Sequence, residues 1–147
     1  MNPTHRTRRD RAAIIEGVKD GTISIIATDH APHTPEEKSK ELTMAPSGII
    51  GLETAFSIAH EKLVKSGAIT LERLIAMLAV NPRKLYGMEC QGIVKGAPAD
   101  LTIYNDKEPW VYEQSLSKSS NSPFLGDKLT GKIKYTIVKG EIAYEDL

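Results

Sequence analysis

Ala12, Ile14, Ile15 and Val18 recur at helical spacing behind Thr7, and Asp10, three residues after Thr7, makes a capping box. The stripe predicts a short helix that Asp20-Gly21 stops. Thr22 to Thr28 reads TISIIAT, a β-branched, nearly continuous apolar run, which predicts a strand buried in a parallel sheet. Helix, short loop and buried strand in succession is α/β grammar. Residues 29–47 are polar and hold Pro32, Pro35 and Pro46, which predicts a long loop of the kind that often serves as a lid. Beyond it Ile49, Leu52, Phe56, Ala59 and Leu63 repeat on a helix that Gly67 ends. Thr70 caps another, with Leu71, Leu74, Ile75 and Leu78 as its stripe. Asn81-Pro82 interrupts that pattern and leaves one further turn, Arg83 to Tyr86, before Gly87.

From Gly92 the pattern changes. Gly92 to Gly96 reads as a short strand between glycines, and Ala99 to Tyr104 as another. Lys132 to Val138 alternates polar and apolar residues, as a half-exposed strand should. Lys139-Gly140 is a turn, with Glu141 to Tyr144 returning as the second arm of a hairpin. The chain therefore divides into an α/β part, residues 1–90, and a small β part, residues 91–147. Ser117 to Ser122 reads as a loop.

Composition narrows the function. Nineteen Lys and Arg balance nineteen Asp and Glu in 147 residues, so the basic excess of a nucleic-acid binder is missing. The local run Arg6, Arg8, Arg9 and Arg11 reads as a solvated first turn of the helix. Cys90 is the single cysteine, which excludes an intrachain disulfide and a cysteine zinc site and suits a reducing compartment. It reads as a structural thiol. No 18-residue apolar run or signal peptide stands out, so no membrane partner is expected and the cytoplasm is the default location. Met1 is compatible with an initiator or with an internal methionine.

The segment richest in chemistry is Ala27-Thr28-Asp29-His30-Ala31-Pro32-His33, one carboxylate and two imidazoles directly after the buried run. Groups at strand C-terminal ends face the ligand crevice in α/β folds. A carboxylate there can bind a divalent metal and accept a proton. The same residues also make an ordinary capped turn with two solvated imidazoles. Zinc needs at least three protein ligands, more than this segment supplies, and a small metal module built on His30 and His33 alone would bind weakly. His60 lies on a helix and reads as a surface or packing residue. Ala45-Pro46-Ser47-Gly48 precedes a predicted helix start, where free N–H groups can hold an anion. Asn2-Pro3 could place an amide at a strand end. No G-x-S-x-G, P-loop or G-x-G-x-x-G is present.

Together, ATDHAPHTPEEK (27–38), APSGIIGLETA (45–55), NPRKLYG (81–87), GIVKGAPADLTIYN (92–105) and SKSSNSPFLG (117–126) resemble the C-terminal part of the dihydroorotase family of cyclic amidohydrolases. Asn2-Pro3 with Arg6, Asp10-Arg11 and the last hairpin also fit, so the resemblance covers essentially the whole chain. ATDHAPH and GIVKGAPADLTIY are specific in combination and singly shared with allantoinases and dihydropyrimidinases.

The resemblance implies the C-terminal portion of a (β/α)8 barrel plus part of a small β-sandwich. It implies reversible hydrolysis of dihydroorotate to N-carbamoyl-aspartate, a step of pyrimidine biosynthesis, with two zinc ions as cofactor. By position Asp29 resembles the catalytic, metal-contacting aspartate after the eighth strand. His33, Asn2, Ser47 and Gly48 resemble substrate-binding residues, and His30 receives no role. The family's H-x-H motif, bridging lysine and two other histidine ligands lie upstream of where this chain begins. The chain alone is therefore expected neither to retain the zinc pair nor to turn over substrate. Its unpaired apolar faces predict a homo-oligomer. The alternatives are another cyclic amidohydrolase such as allantoinase, and a non-catalytic dihydroorotase-like assembly partner of aspartate transcarbamoylase.

Overall fold

The computed structural model describes residues 7–89 and 92–146; Asn2 and Cys90 lie outside the described residues. Helix α1 (Arg8–Asp20) starts at Thr7, whose hydroxyl accepts from the Asp10 N–H at 3.1 Å while the Asp10 carboxylate accepts from the Thr7 N–H at 2.9 Å. These two bonds satisfy donors that a helix start leaves free. Gly21, at φ 96°, closes the helix in the left-handed conformation.

Thr22 and Ile23 continue a bend and Ser24 to Thr28 takes no regular secondary structure, so the strand expected there does not form. A parallel strand exists only through its neighbours, and among the described residues no strand lies beside this one. Helical residues hold it instead. The Ile26 N–H donates to the Met77 carbonyl at 3.1 Å, and the Asn81 amide donates to the Ser24 carbonyl at 2.7 Å. Ile23 and Ile26 reach the core, while Ala27 is exposed.

The polar segment that follows contains a helix the apolar pattern did not predict, α2 (Pro35–Lys38), with a capping box between Thr34 and Glu37. The next helix, α3 (Ala55–Ala59), begins six residues after Ile49, where the apolar stripe begins. Residues 49–52 are drawn away from helix by their cross-chain hydrogen bonds. The Ile49 carbonyl accepts from the Ala31 N–H, and the Gly51 and Leu52 N–H groups donate to His30. A π-helical turn, His60–Val64, continues α3.

Thr70 caps α4 (Leu71–Ile75), and the expected break at Asn81-Pro82 is instead a second π-helical turn, Ala76–Val80, leading into α5 (Asn81–Leu85). The wider turn lets the Asn81 N–H reach the Ala76 carbonyl, so the chain stays helical up to a proline that has no N–H to offer.

The sheet is antiparallel in the order β1 (Leu101–Val111), β2 (Lys128–Val138), β3 (Glu141–Glu145). The strand expected at Gly92 to Gly96 is absent: nothing described pairs with it, and Ile93 is 89% exposed. β1 and β2 both run longer than their alternating patterns, and β1 passes Pro109 after an irregularity in register. Lys139 (φ 51°) and Gly140 (φ 87°) form the two-residue hairpin turn.

Val18, Phe56, Ile69, Leu74 and Met77 make the buried core, with Tyr104 and Ile133 of the sheet packed against it. Phe56 lies 4.9 Å from the Tyr104 ring and stacks on His60 at 5.8 Å. The Gly131 carbonyl accepts from both the Ser57 hydroxyl and the Trp110 indole. His60 is buried, so of its two readings packing is the one realised.

Candidate functional site

The irregular segment that follows α1 leads to Asp29, which has φ 47°. Left-handed backbone is uncommon outside glycine, though Asp tolerates it, and such residues concentrate at functional sites. The Asp29 side chain is exposed. Among the described residues its carboxylate has no hydrogen-bond or ion-pair partner.

The next residues are tied down. His30 accepts at Nδ1 from the Gly51 N–H at 3.1 Å and the Leu52 N–H at 3.4 Å. Nδ1 is therefore the unprotonated nitrogen, and its lone pair is used in fixing the segment. His33 contacts the Ser47 carbonyl through Nε2 at 3.1 Å, so Nε2 carries a proton, and its Nδ1 sits 3.6 Å from the Glu37 carboxylate. The Thr34 N–H hydrogen bond first, and the nearby His33 less, hold the Glu37 carboxyl below its ordinary range.

Ser47 and Gly48 do not precede a helix N-terminus, contrary to expectation, because α3 starts at Ala55. They lie in an irregular segment placed against the Asp29–His33 segment. Gly48 has φ 113°, and a Cβ added there would lie 2.5 Å from the Ala31 Cβ and 3.8 Å from His33 Nε2. Only glycine permits that approach. The Lys38 ammonium donates to the Pro46 carbonyl at 2.9 Å and the Gly48 carbonyl at 3.0 Å. The Asn121 amide donates to the Ala31 carbonyl at 2.8 Å and contacts the Gly48 carbonyl at 3.4 Å, and its oxygen accepts from the His33 N–H at 3.2 Å.

The structure thus brings His33, Ser47 and Gly48 together, with Asp29 four residues before His33 in the same segment. Asn2 lies outside the described residues. Sequence reasoning missed Lys38, Asn121 and helix α2. Only α2 left a signal, Thr34 followed three residues later by Glu37. The two clasp side chains act on backbone carbonyls distant in sequence, which no spacing reveals.

Among the described residues no three His, Cys, Asp or Glu side chains converge where a metal ion could sit. Asp29 fits as one ligand of a metal site whose remaining ligands would come from elsewhere. Both nitrogens of His33 and Nδ1 of His30 face partners already.

A family model described as "Amidohydrolase family" matches residues 2–143. A dihydroorotase of Clostridioides difficile (strain 630) is 51% identical over 144 residues, which is 98% of this chain and 34% of that protein. A dihydroorotase of Streptococcus pyogenes serotype M1 is 50% identical over 146 residues, 98% of this chain and 35% of that protein. The chain thus spans about a third of these curated relatives. Among solved structures, an L-hydantoinase (dihydropyrimidinase) from Arthrobacter aurescens superposes with a TM-score of 0.85 at 29% identity, covering 99% of this chain and 34% of that one. A D-hydantoinase (dihydropyrimidinase) from a Thermus species gives 0.84 at 24% identity, covering 99% and 33%, a likeness of fold alone. No helix among the described residues is long and apolar enough to cross a membrane.

Proposed function

The chain belongs to the amidohydrolase family, and from that premise we propose that it is the C-terminal part of a dihydroorotase, which reversibly hydrolyses the cyclic amide of dihydroorotate to N-carbamoyl-aspartate in pyrimidine biosynthesis. Identity of about half to relatives named dihydroorotase, along nearly the whole chain, supports this reading over an allantoinase or hydantoinase. The observation that carries it is Asp29: an exposed carboxylate in left-handed backbone, without a partner among the described residues, next to a segment held by hydrogen bonds at His30, Ala31 and His33.

In this reading residues 1–90 complete a (β/α)8 barrel and residues 91–147 contribute to a small β-sandwich. Thr22 to Thr28 becomes a paired strand only there, with Asp29 at its C-terminal mouth. Zinc, held chiefly by residues outside this chain with Asp29 as one ligand, would make water acidic near neutral pH and polarise the ring carbonyl. Asp29 accepts the proton of the attacking water and delivers it to the leaving ring nitrogen. His33 faces the substrate carboxylate, Asn2 contributes an amide contact, and the Ser47–Gly48 backbone meets the pyrimidine ring. Cytoplasmic location follows from the same reading.

By itself the chain lacks the other ligands and is inactive in this proposal. An apolar hollow of about 330 Å³, lined by Ile26, Ile49, Ile58, Leu63 and Phe124, stays open, as do Leu52 and Ile93. Such surface favours self-association of the isolated chain.

The test uses the full-length protein that contains this chain, assayed on dihydroorotate. Asp29→Asn should lower kcat about a thousandfold, in the range of a lost general base, with folding intact because Asn tolerates the same backbone. A wild-type protein with no activity on dihydroorotate, or a D29N variant within about tenfold of wild type, refutes the proposal.

A further inference from the structure

We infer that Asn121 is a positioning residue for the substrate pocket: its carboxamide sets the spacing between the Asp29–His33 segment and the Ser47–Gly48 segment. The inference rests on the reading of those segments given under Proposed function. It adds a residue remote in sequence, on the 112–127 loop.

The geometry is that of a strand neighbour supplied by one side chain. Pro32 has no N–H to offer, and the Ala31 carbonyl and the His33 N–H flank it. Asn121 takes both, donating from Nδ2 to the first at 2.8 Å and accepting at Oδ1 from the second at 3.2 Å. The same Nδ2 leans on the Gly48 carbonyl at 3.4 Å, and the Asn121 main-chain carbonyl accepts from the Ile50 N–H at 3.2 Å. One half-buried residue therefore bonds to both segments.

The residue type follows from this. An aspartate would turn an oxygen toward the Ala31 and Gly48 carbonyls, three acceptors with no proton between them. Glutamine would set the amide one methylene too far out.

The loop does not depend on Asn121 for its own shape. Glu53 accepts from the Ser115 hydroxyl and from the Leu116 N–H, at 3.2 Å and 3.0 Å from its two oxygens. Tyr112 pairs with Asp127 and Gly126 at the loop base, with N···O distances of 3.1 Å and 2.9 Å. Removing the carboxamide should loosen the two segments while the loop stays anchored.

The experiment compares Asn121→Ala, Asn121→Asp and the loop control Ser115→Ala in the full-length protein. Kinetics on dihydroorotate are read beside amide hydrogen exchange of peptides spanning residues 30–34 and 47–52. Both Asn121 variants should raise KM about tenfold or more and change kcat less than about threefold, the pattern of lost binding with the proton-transfer group still present. Exchange in both peptides should rise for these two variants and stay at the wild-type level for S115A. KM within about twofold of wild type, or exchange no faster than in S115A, overturns the inference. A wild type inactive on dihydroorotate sinks the functional reading and, with it, the kinetic role of Asn121. The exchange arm still reports whether the residue sets the spacing of the two segments, so the two failures are told apart.

Discussion

Gly131→Ala is the sharpest probe of how the helices hold the sheet. Gly131 lies in β2 at φ 94°, where an L side chain is strained; that alone costs about 1–2 kcal/mol. The new methyl would also stand 3.0 Å from Phe56 Cε1, 3.6 Å from Cδ1 and 3.5 Å from His60 Nδ1. Phe56 cannot easily retreat, since Tyr104 and His60 flank its ring at 4.9 Å and 5.8 Å. Nor can Gly131 swing away without losing the Ser57 and Trp110 hydrogen bonds on its carbonyl. Overpacking of this kind adds about 1–3 kcal/mol, for a total of about 2–5 kcal/mol.

Gly140→Ala isolates the backbone part, because Gly140 has φ 87° and no atom within 4 Å of an added Cβ. It should cost about 1–2 kcal/mol. The assay is urea unfolding of the 147-residue chain followed by the fluorescence of Trp110, its single tryptophan, whose indole reports on the same contact. A difference of about 2 kcal/mol moves the midpoint by about 1 M urea. Shortening the obstacle should relieve the clash, so Gly131→Ala with Phe56→Leu should cost less than the sum of the two by about 1 kcal/mol or more. Equal midpoints for G131A and G140A, or strict additivity with F56L, would refute the packing argument.

Two other expectations concern the hairpin and its charges. Lys139 occupies left-handed backbone at φ 51° in the two-residue turn; Lys139→Asn should therefore stabilise the chain by about 0.5 kcal/mol in the same unfolding assay, and a destabilised variant would contradict the turn assignment. Lys132 and Lys134 hold the Asp146 carboxyl below its ordinary 3.8, while Asp146 and then Glu108 raise Lys134 above its ordinary 10.5. The Asp146 contribution is complete above its unfolded pKa and disappears as pH falls through the lowered folded value. The Lys134 contribution is complete below its unfolded pKa and disappears as pH rises through the raised one. Asp146→Asn should flatten both limbs of the stability profile, and an unchanged acid limb would show that these pairs do not couple to folding.

Local rules read from the sequence hold wherever an element depends on its own residues. Thr7 with Asp10, Gly21, Thr70 and the Lys139-Gly140 turn end or start elements where the chain chemistry places them, because caps and turns satisfy their hydrogen bonds within a few residues. The position of Asp29 directly after an apolar run was legible because it is a matter of sequence order alone. Thr22 to Thr28 and Gly92 to Gly96 read as strands and are not, since a ladder needs a second strand and none is described beside them. The helix read from Ile49 starts at Ala55 because His30 and Ala31 claim the backbone groups of residues 49–52. Lys38 and Asn121 became visible only when distant segments met, as a side chain that holds another loop's carbonyl leaves no period in its own neighbourhood. Sequence determined the caps, the turns and where Asp29 falls along the chain; tertiary structure decided the pairing and the clasp beside it, because hydrogen-bond partners remote along the chain are chosen by folding in space.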